Sequence, residues 1–267
     1  MHYAAVAVFA LAADGMQIAW DKNFLTVSAD GLPGSEIRIQ YLEAYLTSGS
    51  TNQDWRKSMI RHRTRQVSAT PKRIELQCHV DPSVVVDHVI SAGKDEVSFA
   101  IVAKNTGDEF VDVQWAQPCM RVDKFMGMKQ DDYFQRCFIF TDRGLSLLHQ
   151  TKRTDKAIYV PGQVYVPKGV PLADVNPRPI SPDKPVNNLI GCYSKDDKTL
   201  LATAFDSTQE LFQGVAVCIH ADFRIGGLKP KETKTIRGKL YWLPNDVPAL
   251  LRRYEKDFPS AKPAKNP

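Results

Sequence analysis

Residues 73–103 carry three alternating apolar runs divided by tight-turn signals, a spacing that restricts the chain to an antiparallel, mostly β fold. The runs are RIELQCHV, VVVDHVISA and EVSFAIVAKN, separated by Asp81-Pro82-Ser83 and Gly93-Lys94-Asp95. Alternation sends successive side chains to opposite faces of a strand, and Pro and Gly interrupt the ladder between strands. In the middle run Val84, Val86, His88 and Ile90 share one face, so His88 is expected in the core. The same texture recurs at 24–28, 36–47, 138–140, 144–148, 189–193 and 200–205. Residues 246–258 break the pattern. Asp246 suits an N-cap, Pro248 the first helical turn, and Leu250, Leu251, Tyr254 and Phe258 form an apolar stripe, so a short helix is expected there. The chain of 267 residues is long enough to bury a sizeable core. The expected fold is all-β: one large antiparallel β-sandwich over residues 14–259, closed by a short C-terminal helix.

The ends read differently. Residues 3–13, YAAVAVFALAA, have the shape of a secretory signal with a small-residue cleavage site, so residues 1–13 are expected to be removed and the protein to be periplasmic or secreted. The run is shorter than the roughly 20 residues that span a bilayer, and no membrane span is expected. A buried N-terminal strand is the alternative. Residues 260–267 are too polar and proline-rich to pack. Seven prolines fall between 161 and 185, which makes 161–188 a long ordered excursion over one face, with the character of a lid. An apolar content of 43%, a charged content of 24% and a net charge of +5 describe an ordinary soluble domain. No organised basic face of the kind that binds nucleic acid is visible, so no nucleic-acid partner is expected. The five cysteines are widely spaced without a C-x-x-C pair and read as small core residues. Phosphate loops, G-x-S-x-G and H-E-x-x-H are missing from the sequence, and neither a cofactor nor a metal is expected.

Residues 212–243 hold the strongest candidate site. In the run 214–223, Val215, Val217, Ile219 and Ala221 alternate with Ala216, Cys218, His220 and Asp222, and Arg224 continues the polar row. A second candidate is the strand at 36–47, where Ile37, Ile39, Tyr41, Glu43 and Tyr45 are expected on one face. A carboxylate between two aromatic rings suits a sugar, whose hydroxyls need acceptors and whose C–H face packs on rings. The cluster Arg61-His62-Arg63-Thr64-Arg65 is the densest positive stretch and suits an acidic ligand. Gln114, Trp115, Gln117 and Arg121 lie along 110–122.

GVAVCIHADF followed by GGLKPKETKTIRGKLYWL resembles the closing hairpin of the aldose 1-epimerase (galactose mutarotase-like) superfamily, and 84–115 resembles, in strand length and turn placement, the superfamily's hairpin that leads to the strand supplying its catalytic histidine. The resemblance implies a supersandwich that binds sugars on the concave face of its larger sheet, with a catalytic glutamate and histidine. Here His220 stands at the glutamate position, and Gln114, Trp115 and Gln117 stand where the histidine is expected. The expected function is therefore acid–base chemistry on a sugar or acidic glycan, of an epimerase or lyase type. His220 would be the acid or base, Asp222 its orienting partner and Arg224 the group balancing negative charge. Gln114, Trp115, Gln117, Arg121, Glu43, Tyr45 and His62 would bind substrate. Non-catalytic glycan binding on Trp115, Tyr41, Tyr45 and Trp242 is the alternative. A metal held by His62, His79, His88 and His220 is a third reading.

Overall fold

A computed structural model of the chain describes residues 15–130, 132–159 and 162–259. The expected signal at 1–13 and tail at 260–267 lie outside the described residues. Seventeen strands are described, in chain order β1 (Gln17–Asp21), β2 (Phe24–Ser28), β3 (Glu36–Leu46), β4 (Met59–Ile60), β5 (His62–Thr70), β6 (Arg73–Val80), β7 (Val84–Ala92), β8 (Glu96–Asn105) and β9 (Trp115–Arg121). They continue as β10 (Cys137–Thr141), β11 (Gly144–Leu147), β12 (Val164–Tyr165), β13 (Ile190–Tyr193), β14 (Thr199–Phe205), β15 (Thr208–Gln213), β16 (Cys218–Arg224) and β17 (Thr233–Pro244).

The strands form two antiparallel sheets that pack as a sandwich, as the alternation predicts. One sheet has eight strands in the order β1-β2-β3-β9-β16-β15-β12, with β4 paired to the end of β3. The other has nine, in the order β11-β10-β13-β14-β17-β8-β7-β6-β5. Side chains of period two from both sheets meet between them. Ile37, Ile39, Met120, Ile219 and Ala221 come from the first sheet, and Leu76, Val86, Ile90, Ile101 and Leu240 from the second. Burial of this apolar surface is the main favourable term in holding the sheets together.

The C-terminal helix Val247–Asp257 begins as expected, with the Asp246 carboxylate accepting from the Ala249 N–H at 2.9 Å. Its Leu250 and Tyr254, with Phe258 just beyond, cover the far face of the nine-stranded sheet against Phe138, Phe140 and Tyr241. No helix among the described residues is long and apolar enough to cross a membrane.

The expected closing hairpin is corrected. β16 pairs with β9 and β15 in the first sheet, whereas β17 pairs with β8 and β14 in the second. Residues 225–232 therefore arch from one sheet to the other. The arch is fixed by reciprocal Val111–Leu228 backbone bonds of 2.9 Å each and by Gly226 and Gly227, both at positive φ, which glycine adopts without steric cost.

Candidate functional site

Outward-facing rows of β3, β9 and β16 form the floor of a cleft of about 1440 Å³ on the outer face of the eight-stranded sheet. Glu43, Gln117, Cys119, Arg121, Cys218 and His220 reach it from the floor, and Phe212 from β15. Asn176, Pro177, Arg178, Pro179 and Ile180 of the proline-rich excursion make one wall. Thr51, whose hydroxyl donates to the Val175 carbonyl at 2.7 Å, and Trp55, at the start of the one-turn helix Trp55–Ser58, continue the lining. The excursion is tied down from beneath: the Asn176 N–H donates to Glu210 Oε2 at 2.9 Å, and Gln209 Nε2 donates to the Asp174 carbonyl at 3.0 Å.

β16 has the parity expected from the sequence. Ile219 and Ala221 point into the sandwich, and Cys218, His220 and Asp222 point outward. His220 is 2% exposed and stacks on Phe212 of β15, with ring centroids 4.0 Å apart and planes 15° apart. Its Nε2 lies 3.3 Å from Cys218 Sγ, and its Nδ1 lies 3.5 Å from Asp222 Oδ1, an ion-pair distance without hydrogen-bond geometry. Both ring nitrogens thus face protein groups rather than the open cleft. Burial works to lower the imidazole pKa, but the Cys218 thiolate and the Asp222 carboxylate outweigh it and hold it up at about 10. The Cys218 thiol is pushed down by the hydrogen bond from Cys119 and, against burial, by the charge of His220. Cys119 is pushed up by that same contact and by burial.

Below His220 the cluster is acidic. Asp222 is fully buried, and burial raises its pKa to about 7. Its cross-strand neighbour Glu210 is likewise raised by burial and by the Asp222 charge. The approach to β16 is held by Tyr133, whose hydroxyl donates to the Gly214 carbonyl and, at 3.1 Å, to that of Cys218. Gly214 has to be glycine, because a Cβ there would stand 2.2 Å from Cys218 Sγ.

Glu43 reaches the cleft through an irregularity in β3. The register against β9 shifts between Gln40 and Ala44, so four residues of β3 pass two of β9, and Leu42 takes φ 60°. Tyr41 and Tyr45 stay on the inner face while Glu43 turns out. There Gln117 Nε2 donates to Glu43 Oε2 at 3.1 Å, and burial raises the carboxyl pKa.

Of the residues singled out in the sequence, Glu43, Gln117, Arg121 and His220 therefore line one cleft. Asp222 lies beneath it. Tyr45 does not reach it: Tyr45 and Tyr41 are fully buried between the sheets with hydroxyls on His88, and Trp242 is 3% exposed, so none offers a stacking platform. Trp115 is also fully buried, covered by Trp55 at 5.9 Å between ring centroids. The aromatic rings that line the cleft are Trp55 and Phe212, the latter stacked on His220. Arg224 is drawn aside to Gln209 Oε1 at 2.6 Å and Gln114 Oε1 at 3.2 Å, and neither Arg224 nor Gln114 lines the cleft. His62 sits at the start of β5 in the other sheet, against Tyr45 at 5.1 Å, so the four-histidine metal reading fails on geometry. Instead His220 is joined by Cys119 and Cys218, two residues that the sequence presents as ordinary core.

No family model matches the chain, and no curated protein matches it. Among solved structures it is similar to the Slr1438 protein of Synechocystis sp. PCC 6803, at 9% identity and a TM-score of 0.45, over 91% of this chain and 99% of that one. It is also similar to a galactose mutarotase-like protein from Lactobacillus casei, at 9% identity and a TM-score of 0.45, over 85% of this chain and 100% of that one. A galactose mutarotase related enzyme from Lactobacillus acidophilus matches at 9% identity and a TM-score of 0.44, over 85% of this chain and 97% of that one. Likeness at this level transfers neither substrate nor residue roles, and the function has to be argued from the cleft itself.

Proposed function

We propose that the cleft binds a sugar, free or within an acidic glycan, and that Glu43 exchanges a proton with it. The observation that carries this reading is the placement of Glu43. A bulge turns one carboxylate out of an otherwise apolar inner row and sets it on the cleft floor beside the Gln117 amide. A partly buried carboxyl whose pKa is raised is suited to both accept and release a proton, as acid–base chemistry at a ring oxygen or a carbon next to a carboxylate requires. Trp55 supplies an aromatic wall for the C–H face of a sugar ring. Arg121, Arg178 and Lys156 give the cleft its cations, which suits a uronate more than a neutral hexose.

His220 was the acid–base group expected from the sequence, and its two nitrogens facing Cys218 and Asp222 favour a supporting role over direct proton transfer. That same enclosure supports a second reading, in which the cleft binds a glycan without turning it over. The two separate in one experiment. Wild type and Glu43→Gln are assayed on a panel of uronate-containing and neutral sugars and oligosaccharides for anomer or epimer interconversion, new reducing ends and unsaturated products, with binding measured by calorimetry. Catalysis predicts turnover that falls about 10²–10⁴-fold in Glu43→Gln while binding persists. Binding without turnover in wild type supports the second reading, and no binding across the panel overturns both.

A further inference from the structure

We infer that Cys119, Cys218 and His220 form a binding site for one thiophilic metal ion, of which zinc is the natural representative. Two sulfurs and a ring nitrogen, contributed by the adjacent strands β9 and β16, all lie within 4.8 Å of one another. Zinc takes sulfur at about 2.3 Å and imidazole nitrogen at about 2.0–2.1 Å, so a tetrahedral ion separates its ligand atoms by roughly 3.5–3.8 Å. The 3.3 Å between Cys218 Sγ and His220 Nε2 is within a few tenths of an ångström of that edge. Two thiolates and an imidazole form a donor set that selects zinc or copper(I) over magnesium or calcium.

The surroundings point the same way. With Nε2 on an ion, the remaining proton of His220 is fixed on Nδ1, facing Asp222 Oδ1 at 3.5 Å. Neither that nitrogen nor either Asp222 oxygen, all buried, has a hydrogen-bond partner among the described residues. A carboxylate behind a histidine is the support that metal-bound imidazoles ordinarily carry, since it sets the tautomer and strengthens the donor. The Gly214 backbone passes on the ligand side, where a Cβ would lie 2.2 Å from Cys218 Sγ and 3.0 Å from His220 Nε2. Binding releases two protons to solvent, one from the Cys119 thiol and one from the His220–Cys218 pair, and involves no change of oxidation state. A dication with two thiolates adds no net charge to a cluster that already holds Asp222 and Glu210. All three ligands are among the residues that line the cleft floor with Glu43, the side from which water or a ligand oxygen would complete the tetrahedron. Only this last point rests on the sugar reading.

The test is titration of Co²⁺, then Zn²⁺, into the reduced, chelator-stripped full-length protein. One equivalent of Co²⁺ is expected to produce the sulfur-to-cobalt charge-transfer and visible bands of a tetrahedral thiolate site, and Zn²⁺ to abolish them. Cys119→Ser and Cys218→Ser should each weaken binding at least tenfold. Cys78→Ser, which changes a thiol of the other sheet, should leave it unchanged. Should the serine variants fold poorly by circular dichroism, alkylation of the native wild type decides: zinc should protect two of the five free thiols. Absence of thiolate–cobalt bands in wild type, bands that survive loss of both cysteines, or no thiol protection by zinc overturns the proposal. Cobalt bands without any sugar binding would overturn the sugar reading and leave the metal site standing.

Discussion

His88 and His220 are both strand histidines, both buried, and both flanked by aromatic rings, yet they occupy opposite chemical situations. His88 lies between the sheets, with Tyr41 Oη 3.0 Å from Nδ1 and Tyr45 Oη 3.2 Å from Nε2. A neutral imidazole has one donor and one acceptor, so two hydroxyls satisfy it completely, one accepting and one donating. Burial with no carboxylate beside it pushes its pKa down to about 3. His220 lies on the outer face, against a cleft, beside a thiol and above two carboxylates, and its pKa is held up at about 10 despite burial. Burial alone does not mark a functional histidine. What distinguishes the two is whether the ring completes a closed set of partners or belongs to a buried cluster with unspent bonding capacity beneath a cleft.

The comparison can be broken at several points. The largest effect belongs to the cleft: Glu43→Gln should lower sugar turnover by about 10²–10⁴ while its melting temperature stays near that of wild type. Next comes the scaffold. His88→Ala removes a packed ring and strands two buried tyrosine hydroxyls, and should cost about 2–4 kcal/mol in urea unfolding. Cleft-ligand binding by the folded fraction should be unchanged. A His88→Ala protein as stable as wild type would contradict the structural assignment.

The pH dependence of stability sharpens the same point. Burial depresses the folded pKa of His88 to about 3 from the ordinary imidazole value of 6.5. Its contribution is therefore fully present above pH 6.5. Below that the unfolded state takes up the proton first, and stability is lost as the pH falls toward 3, at up to about 1.4 kcal/mol per pH unit from this one site. Urea midpoints between pH 7 and 4 should fall more steeply for wild type than for His88→Gln, and equal slopes would refute the assignment. The smallest effect is at a polar pairing of the second sheet. Burial acts to raise the Glu96 pKa, but Lys239 and Arg253 outweigh it and hold it below the usual range. Its stabilisation is present above about pH 4.5 and is lost as pH falls through the lower folded value. Lys239→Ala should cost about 1 kcal/mol at pH 7, with the difference shrinking in acid.

Local pattern carried much of the fold. The outward row Cys218–His220–Asp222, the inward His88 and the N-cap of Asp246 all follow from period and turn chemistry alone. The site was only half legible, for reasons that are non-local. By period alone Glu43 shares a face with Tyr45, and the β3 bulge, which exists only in register with β9, turns it out. Cys119 lies 99 residues from Cys218 in the chain and reads as core until the pairing of β9 with β16 brings it beside the Cys218–His220 row. Trp115 reads as a sugar platform by sequence, but Trp55 covers it, and it is Trp55 that lines the cleft. The closing hairpin is an arch because Leu228 pairs with Val111, a contact that no local signal announces.

The most direct test of the division between cleft and scaffold is the imidazole NMR spectrum of the folded protein, titrated with uronate-containing oligosaccharides. The His220 ring signals should shift with saturable dependence on ligand while those of His88 stay fixed, and Trp55→Ala should weaken the response. Shifts at His88 with none at His220, or no response at His220 across the panel, would contradict the placement of function on the outer face.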